Sequence, residues 1–536
     1  MRISYKDLGL ACLSAALLIL SFPSFDFGAL AWAALVPLLI ALDGKRPSQA
    51  FVLSHVAGVI FYVGVLFWIW SVPAWNLLDE FLIGGIYLAL YVSLWGLGLN
   101  WIRARTALPA ALIAPVLWVT LEYVRSHLGF LAFPWMLLGH SQYLYPFLVQ
   151  LSALTGVYGL SFLIVLATVA IADAILHRPN ARFAPNGRSI LRRIPLSLVA
   201  AAALLLLTSL YGLAVLPRGG SGESLSIALV QGNIPQEQKW DGRHREAILE
   251  RYAGLTRLAA RQAPALIVWP ETAVPGDLGH DQNLQRRLGR LAVETKTPLL
   301  VGAAENAKFT TKKLEDKFYN SVFLISTDGR VEGQYRKMLL VPFSEYAPLR
   351  DLVTWPKAIV SGAGDYVPGD RYTLFTVGPA TFGAVICWEA IFPNFVREFV
   401  NRGARFLVVA TNEAHFRETA APYQLLAMSV FRAAENRIAI ARSANTGISA
   451  LIDPFGRITH RLRGAAQKEL FVEGVLVGAI AVSGSSTFYT RYGDVFAVLQ
   501  VAGSAILLLL ALSLPRLANG RRASPKGSRL PQAVGQ

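Results

Sequence analysis

Three strand-like stretches of this chain each run into one reactive side chain. Leu266-Ile267-Val268-Trp269-Pro270 leads to Glu271, Val331-Glu332-Gly333-Gln334-Tyr335-Arg336 leads to Lys337, and Gly383-Ala384-Val385-Ile386 leads to Cys387. A thiol needs a base or a charged partner before it can attack as a thiolate near neutral pH. A carboxylate can take that proton and later return it to a leaving group. An ammonium beside the attacked carbonyl can stabilise an oxyanion, together with the N–H of Trp388. A cysteine that ends a strand, followed by Trp388, Glu389 and a helical pattern from near Pro393, has the layout of a nucleophile elbow. Each residue also has a plain reading: Glu271 as a helix cap, Lys337 as a solvated charge, Cys387 as core. Their joint placement at strand ends favours nucleophilic chemistry on Cys387. His415 is a competing base, but a Cys–His pairing would leave Glu271 and Lys337 without a role.

The elements that must position these residues follow from the hydrophobicity. The 536 residues are 54% hydrophobic and only 16% charged, where a soluble chain carries about a quarter charged residues. Residues 1–217 and 493–515 are apolar in long blocks, whereas 222–490 alternate short strands, Gly/Pro turns and mixed charge. Strands are expected at 225–230 and 265–269, with a helix over about 243–261, and such alternation predicts a layered α/β sandwich. The expected organisation is a membrane domain at 1–217, a catalytic domain at 222–490, a last span at 491–515 and a basic, disordered tail at 516–536. No internal repeat, phosphate loop or Cys/His cluster at metal spacing is present. The two cysteines, Cys12 and Cys387, are not expected to form a disulfide, and Cys12 is expected to be a packing residue.

Eight stretches approach the length of about 20 apolar residues that a span needs: 8–23, 27–42, 51–71, 81–101, 108–125, 153–176, 196–216 and 493–514. The first two are short and suggest a tight hairpin around Pro23 and Asp26. The net charge of +16 has no nucleic-acid-binding motif beside it. It sits instead in loops next to apolar blocks: Lys45 and Arg46, Arg103 and Arg105, the arginines of 178–193, and those of 516–529. The loop at 72–80 has no Lys or Arg. Positive-inside asymmetry puts both termini and the basic loops in the cytoplasm, and therefore the 222–490 domain outside, in the periplasm of a bacterium. Trp118, Glu122 and Arg125 stand at helical spacing, with Glu122 and Arg125 able to pair at i, i+3. Two readings are open for them: a functional group near the membrane, or a snorkelling helix end at the interface.

Several longer motifs carry a resemblance. PETAVP, YRKMLLVPFSEYAP and ICWEAIFP resemble the Glu, Lys and Cys motifs of the nitrilase (carbon–nitrogen hydrolase) superfamily. The leading apolar block, LEYVRSHLGFLAFPWMLLGHSQ, VQGNIPQEQKWD, YNSVF and ARSANTGISALIDPFG are similar to the bacterial apolipoprotein N-acyltransferases, over nearly the whole chain. The resemblance implies an α-helical membrane domain of about eight transmembrane helices with an inserted four-layer αββα nitrilase-like sandwich. It implies Cys387 as nucleophile, Glu271 as proton acceptor and Lys337 for oxyanion stabilisation, with Glu345, Trp388 and Glu389 supporting the site. It also implies transfer of an acyl chain from a phospholipid, through a thioester on Cys387, to the α-amine of a diacylated apolipoprotein. The enzyme would be a monomer of the bacterial inner membrane, using no cofactor and no metal. The chain departs from the family pattern at Asn412-Glu413-Ala414-His415, at Ser344 and at Gln424-Leu425.

Both lipid substrates would lie in the membrane, so the sulfur belongs at the interface, under loops that exclude water. Tyr346 and Phe416, beside Trp388, are candidate substrate-binding aromatics there. A membrane-tethered amidase of the same superfamily would share every step up to the thioester. A transporter with a ligand-binding soluble domain would need paired intramembrane charges or broken helices at the midplane, and the sequence offers no such set.

Overall fold

A computed structural model describes residues 3–72, 79, 81–176, 195–217, 223–239, 241–307, 317–350, 352–355, 364–482, 484 and 486–514. The 72–80 loop beyond Val72 (Asp79 excepted), the basic 178–193 loop and the 516–536 tail lie outside the described residues.

Thirteen strands form two sheets among the described residues. The first has the order β13 (Gly474–Ala481), β1 (Ser224–Gln231), β2 (Leu266–Val268), β4 (Leu299–Asn306), β5 (Phe318–Ile325) and β6 (Val331–Arg336), with β3 (Val274–Asp277) also on β4. The second has the order β12 (Ile458–Arg461), β11 (Ala450–Ile452), β10 (Ala439–Ala444), β9 (Phe406–Thr411), β8 (Ala380–Ile386) and β7 (Leu374–Val377). Strands β1, β2 and β4 are mutually parallel, as are β8, β9 and β10. Their near-continuous Val/Ile/Leu/Ala composition fits parallel strands buried on both faces. Leu229, Val268 and Leu300 of one sheet and Val385, Val408 and Ile440 of the other belong to a single hydrophobic core. The opposite face of the first sheet packs on helices Arg245–Ala260 and Gln282–Thr295 through Leu249, Tyr252, Leu284 and Leu288.

Among the described residues five helices are long and apolar enough to cross a membrane: Pro47–Val65, Leu82–Arg103, Tyr158–Leu176, Leu196–Val215 and Val495–Ser513. The other three expected spans are shorter, interrupted or more polar. Residues 8–23 give the 16-residue helix Tyr5–Leu20, 27–42 break into short helices before Val36–Leu42, and 108–125 form Ala110–His127, which carries Glu122 and Arg125. Cys12 is exposed rather than packed. The inward stripe of its helix is Ala11, Ser14, Ala15 and Leu18, and at 100° per residue Cys12 falls off that stripe.

Glu122 and Arg125 depart from the snorkelling reading and from the i, i+3 pair that their spacing permits. Neither side chain snorkels, since they are 6% and 1% exposed, and they make no ion pair with each other. Glu122 Oε1 accepts from Trp118 Nε1 at 3.0 Å and from the Leu138 N–H at 2.7 Å. Arg125 Nη1 donates to the Trp135 carbonyl at 3.0 Å. The 133–138 segment turns back over the helix end and needs its backbone groups satisfied inside the protein, and this pulls the two side chains apart.

Candidate active site

The parallel strands bring their C-terminal ends to one edge, where ligands of open α/β sheets are held. Glu271 follows β2, Lys337 follows β6, Cys387 follows β8 and Asn412 follows β9. Cys387 has φ +50, a left-handed conformation that costs a non-glycine residue roughly 1–2 kcal/mol. That turn converts β8 into the tight turn Cys387–Ile391 and then helix Pro393–Asn401, so the sulfur stands at the strand end instead of inside the sheet.

Glu389 holds this elbow. Its Oε2 accepts from the Ile386 N–H at 2.7 Å, while Oε1 accepts from the Tyr335 hydroxyl at 2.7 Å and from the Met338 and Leu339 N–H groups at 2.6 and 3.1 Å. One fully buried carboxyl thus ties the nucleophile turn to the segment just after Lys337. Burial pushes that carboxyl up to about 7, against the pull of the Ile386 N–H and the Tyr335 hydroxyl. Glu389 is a brace and does not line the cavity beside Cys387.

Glu271, Lys337 and Glu345 form a second, polar layer. Lys337 Nζ lies 2.9 Å from Glu345 Oε1 and 3.6 Å from Glu271 Oε1. Glu271 Oε1 also accepts from Asn320 Nδ2, and Oε2 from the Asn412 N–H, both at 2.7 Å. Glu345 Oε2 accepts from the Val341 N–H at 2.8 Å. Burial alone would push the Lys337 ammonium down, but the Glu345 and Glu271 carboxylates outweigh it and hold it above the ordinary lysine range. Burial pushes the Cys387 thiol up to about 12, and the Glu271 carboxylate adds to this; Lys337 and a hydrogen bond from Thr411 pull the other way. The resting sulfur is therefore a thiol at neutral pH, and a base must remove its proton during attack. Burial and the nearby Lys239 ammonium push the His415 imidazole down, so it is uncharged at neutral pH.

A cavity of about 480 Å³ opens beside Cys387, within the 300–1,000 Å³ range of small-molecule sites. Glu271, Lys337, Glu345, Trp388, His415 and Phe416 line it, and so do Trp68, Phe133 and Trp135 from the N-terminal half. Phe416 meets Trp68 edge-on at 4.9 Å, and Trp135 stacks near Trp388 at 6.1 Å. Tyr346 is placed elsewhere. It lines a neighbouring cavity of about 550 Å³ that shares only Trp388 and Tyr366 with the first. Its chain turns away because the Tyr346 carbonyl accepts from the Phe343 N–H at 2.8 Å, closing the 343–346 turn.

Sequence reasoning missed Gln424 as a contributor. Its Oε1 accepts from Trp68 Nε1 at 3.0 Å and Trp135 Nε1 at 2.7 Å, and its Nε2 donates to the Val65 carbonyl at 2.9 Å and the Pro23 carbonyl at 3.3 Å. One amide from helix Ala421–Asn436 thereby fixes both cavity tryptophans. No local pattern announces it, since its partners lie 289 or more positions away. Glu413, in the departing Asn412-Glu413-Ala414-His415 run, faces inward and pairs with Arg442 of β10.

Comparison with known proteins places both halves. The carbon-nitrogen hydrolase family matches residues 226–487, and the apolipoprotein N-acyltransferase N-terminal domain matches 14–170. The chain is 40% identical to an apolipoprotein N-acyltransferase of Geobacter metallireducens, over 94% of this chain and 95% of that one. It is 33% identical to the protein of that name from Azotobacter vinelandii, over 96% of each. A solved amidase from Nesterenkonia sp. aligns at 21% identity, covering 52% of this chain and 95% of its own, with a TM-score of 0.36.

Proposed function

The chain belongs to the apolipoprotein N-acyltransferase family, and from that premise we propose that Cys387, Glu271 and Lys337 carry its acyl transfer. The enzyme N-acylates lipoproteins, with lipid and lipoprotein substrates. The observation that carries the residue assignment is the elbow sulfur of Cys387, beside the Glu271–Lys337–Glu345 cluster, at a cavity lined partly by the apolar half of the chain.

In the first half-reaction Glu271 takes the Sγ proton as the sulfur attacks the ester carbonyl of a phospholipid. The resulting oxyanion is met by the Lys337 ammonium and the Trp388 N–H. Collapse breaks the ester C–O bond; the lysophospholipid oxygen leaves with the proton from Glu271, and the acyl group stays as a thioester. In the second half-reaction the α-amine of a diacylglyceryl-cysteine attacks the thioester. Glu271 accepts the amine proton and returns it to the departing thiolate. This is ping-pong chemistry with no net redox change. Glu345 keeps Lys337 aimed, and Glu389 and Trp388 keep the elbow in place.

The wider architecture of this proposal is a four-layer αββα catalytic domain at 222–490 set into a membrane domain formed by 1–217 and the 491–515 span, with eight transmembrane helices, followed by a 516–536 tail. The basic loops support a cytoplasmic placement for themselves and hence a periplasmic catalytic domain of the inner membrane. A monomer suffices, because all proposed site residues come from one chain.

The test is incubation of the purified protein with a phospholipid and a diacylated lipopeptide. N-acylated peptide is the expected product. Free fatty acid without acylated peptide would replace the transferase reading with an amidase-like one.

A further inference from the structure

A second buried lysine stands behind Glu271. Lys239 ends the short helix Gln236–Lys239, which follows β1, and is 3% exposed. Its Nζ donates to the main-chain carbonyl of Glu271 at 2.9 Å, and among the described residues it forms no ion pair. The turn it holds is tight. Thr272 has φ +45, and β4 passes so close beneath that a Cβ on Gly302 would lie 2.3 Å from the Pro270 carbonyl and 2.7 Å from the Thr272 nitrogen. Glu271 therefore sits on a left-handed bend, pressed from below by Gly302 and held by the Lys239 ammonium.

The same short helix is stitched to the other side of the site. Gln236 Oε1 accepts from Asn412 Nδ2 at 3.0 Å, and the Asn412 N–H is the one that donates to Glu271 Oε2. Asn412 Oδ1 in turn accepts from Asn445 Nδ2 at 3.0 Å, whose Nδ2 and Oδ1 clamp the Ile234 carbonyl and N–H. The 234–239 segment thus grips Glu271 at both ends, through its carbonyl by Lys239 and through its carboxylate by way of Asn412.

We propose that Lys239 is a positioning residue for thioester formation: its ammonium, bonded to the Glu271 carbonyl, fixes the turn that aims the Glu271 carboxylate at the Cys387 thiol. The inference rests on the assignment of Cys387 and Glu271 given above. Burial pushes the Lys239 ammonium down to about 8, with the Glu271 carboxylate and the Cys387 sulfur pulling it back up. The other titratable groups around it are His415, on the loop after β9, with Glu237 on its own helix and Lys337 beyond Glu271. Lys337 is held far above this range and His415 below it. Lys239 is therefore the cation of this group that loses its charge on mild alkalinisation.

The experiment uses the full-length enzyme with phospholipid alone, so that only the first half-reaction is read, as acyl adduct on Cys387 against pH from 6 to 10. The wild-type rate should fall as pH rises through about 8. Lys239→Arg should keep most of the neutral-pH rate and lose that alkaline decline, because arginine stays charged. Lys239→Met should be slower by about 10–100-fold at pH 7, the scale of a misplaced catalytic group, with a flat alkaline side. Thermal unfolding of each variant separates misfolding from this effect. If Lys239→Met misfolds, the arginine profile alone decides: retention of the wild-type alkaline decline in Lys239→Arg overturns the proposal. So does a Lys239→Met protein with wild-type rate and profile. A wild-type enzyme that forms no adduct on Cys387 would instead overturn the nucleophile assignment itself.

Discussion

Two buried clusters of carboxylate and cation sit in the same domain and do different things. Glu271, Lys337 and Glu345 border a cavity of about 480 Å³ beside a thiol. Glu413 and Arg442 are 0% and 1% exposed, and a Cβ on Gly447 would lie 1.7 Å from Glu413 Oε2, so no ligand atom fits there. Arg442 donates to both Glu413 oxygens and to the Ile448 carbonyl. Burial of paired charge is common to the two, and it marks structure as readily as chemistry. What sets the first apart is the open space it shares with the Cys387 thiol. The second is a post between β9 and β10.

The largest effect expected from breaking this contrast is at Cys387. Cys387→Ala should lower acyl transfer by roughly 10⁴-fold or more, while the thermal unfolding temperature stays close to wild type. Cys387→Ser should also be severely impaired, since an alcohol is the weaker nucleophile at neutral pH.

Next comes Glu271→Gln, which should cost about 10²–10⁴-fold in acyl transfer. The same change should make the resting sulfur easier to ionise, because the Glu271 carboxylate is one cause of its raised position. Alkylation of Cys387 at pH 9 should therefore speed up while catalysis fails. Lys337→Met should slow both, since its charge pulls the thiol down. In the wild type, alkylation should keep rising beyond pH 9, as a thiol near 12 requires, whereas a free cysteine levels off above about 8.5.

Arg442→Met should act on stability. It strands the Glu413 charge and should cost about 3–5 kcal/mol in chemical denaturation, leaving the rate per folded molecule within a few-fold of wild type. A 10²–10⁴-fold loss of acyl transfer with faster Cys387 alkylation at pH 9, as expected of Glu271→Gln, would erase the distinction between the two clusters. The smallest expected change in rate is for Gln424→Leu, which leaves the Trp68 and Trp135 indole N–H groups unpaired at about 1–3 kcal/mol of stability each. It should shift preference among donor acyl chain lengths more than it lowers the rate with the best donor.

The sequence made the elbow legible because its cause is local: an apolar strand, a single cysteine, then Trp388, Glu389 and a helix opened by Pro393. Glu271 and Lys337 were legible for the same reason, each lying just past a strand. The sheet register that brings β2, β6 and β8 to one edge is long-range, and in the sequence the three were linked only by their shared place at strand ends and by motif resemblance. Gln424 and Glu413 were visible only as departures from a pattern. Their meaning depends on Trp68, Trp135 and Arg442, which the chain supplies far away. Glu122 and Arg125 misled for the opposite reason. Their i, i+3 spacing permits a pair, but the 133–138 segment offers backbone groups that compete for both. Tyr346 stands one residue from Glu345, yet the 343–346 turn sends it to the neighbouring cavity.

The central claim is that Cys387 carries the acyl group between the two lipids. Intact-protein and peptide mass spectrometry of the full-length enzyme mixed with a phospholipid, then chased with a diacylated lipopeptide, tests it most directly. One acyl chain is expected on Cys387 before the chase, lost to the peptide amine after it and missing in Cys387→Ala. Acylated lipopeptide produced without any Cys387 adduct, or by the Cys387→Ala protein, would contradict it.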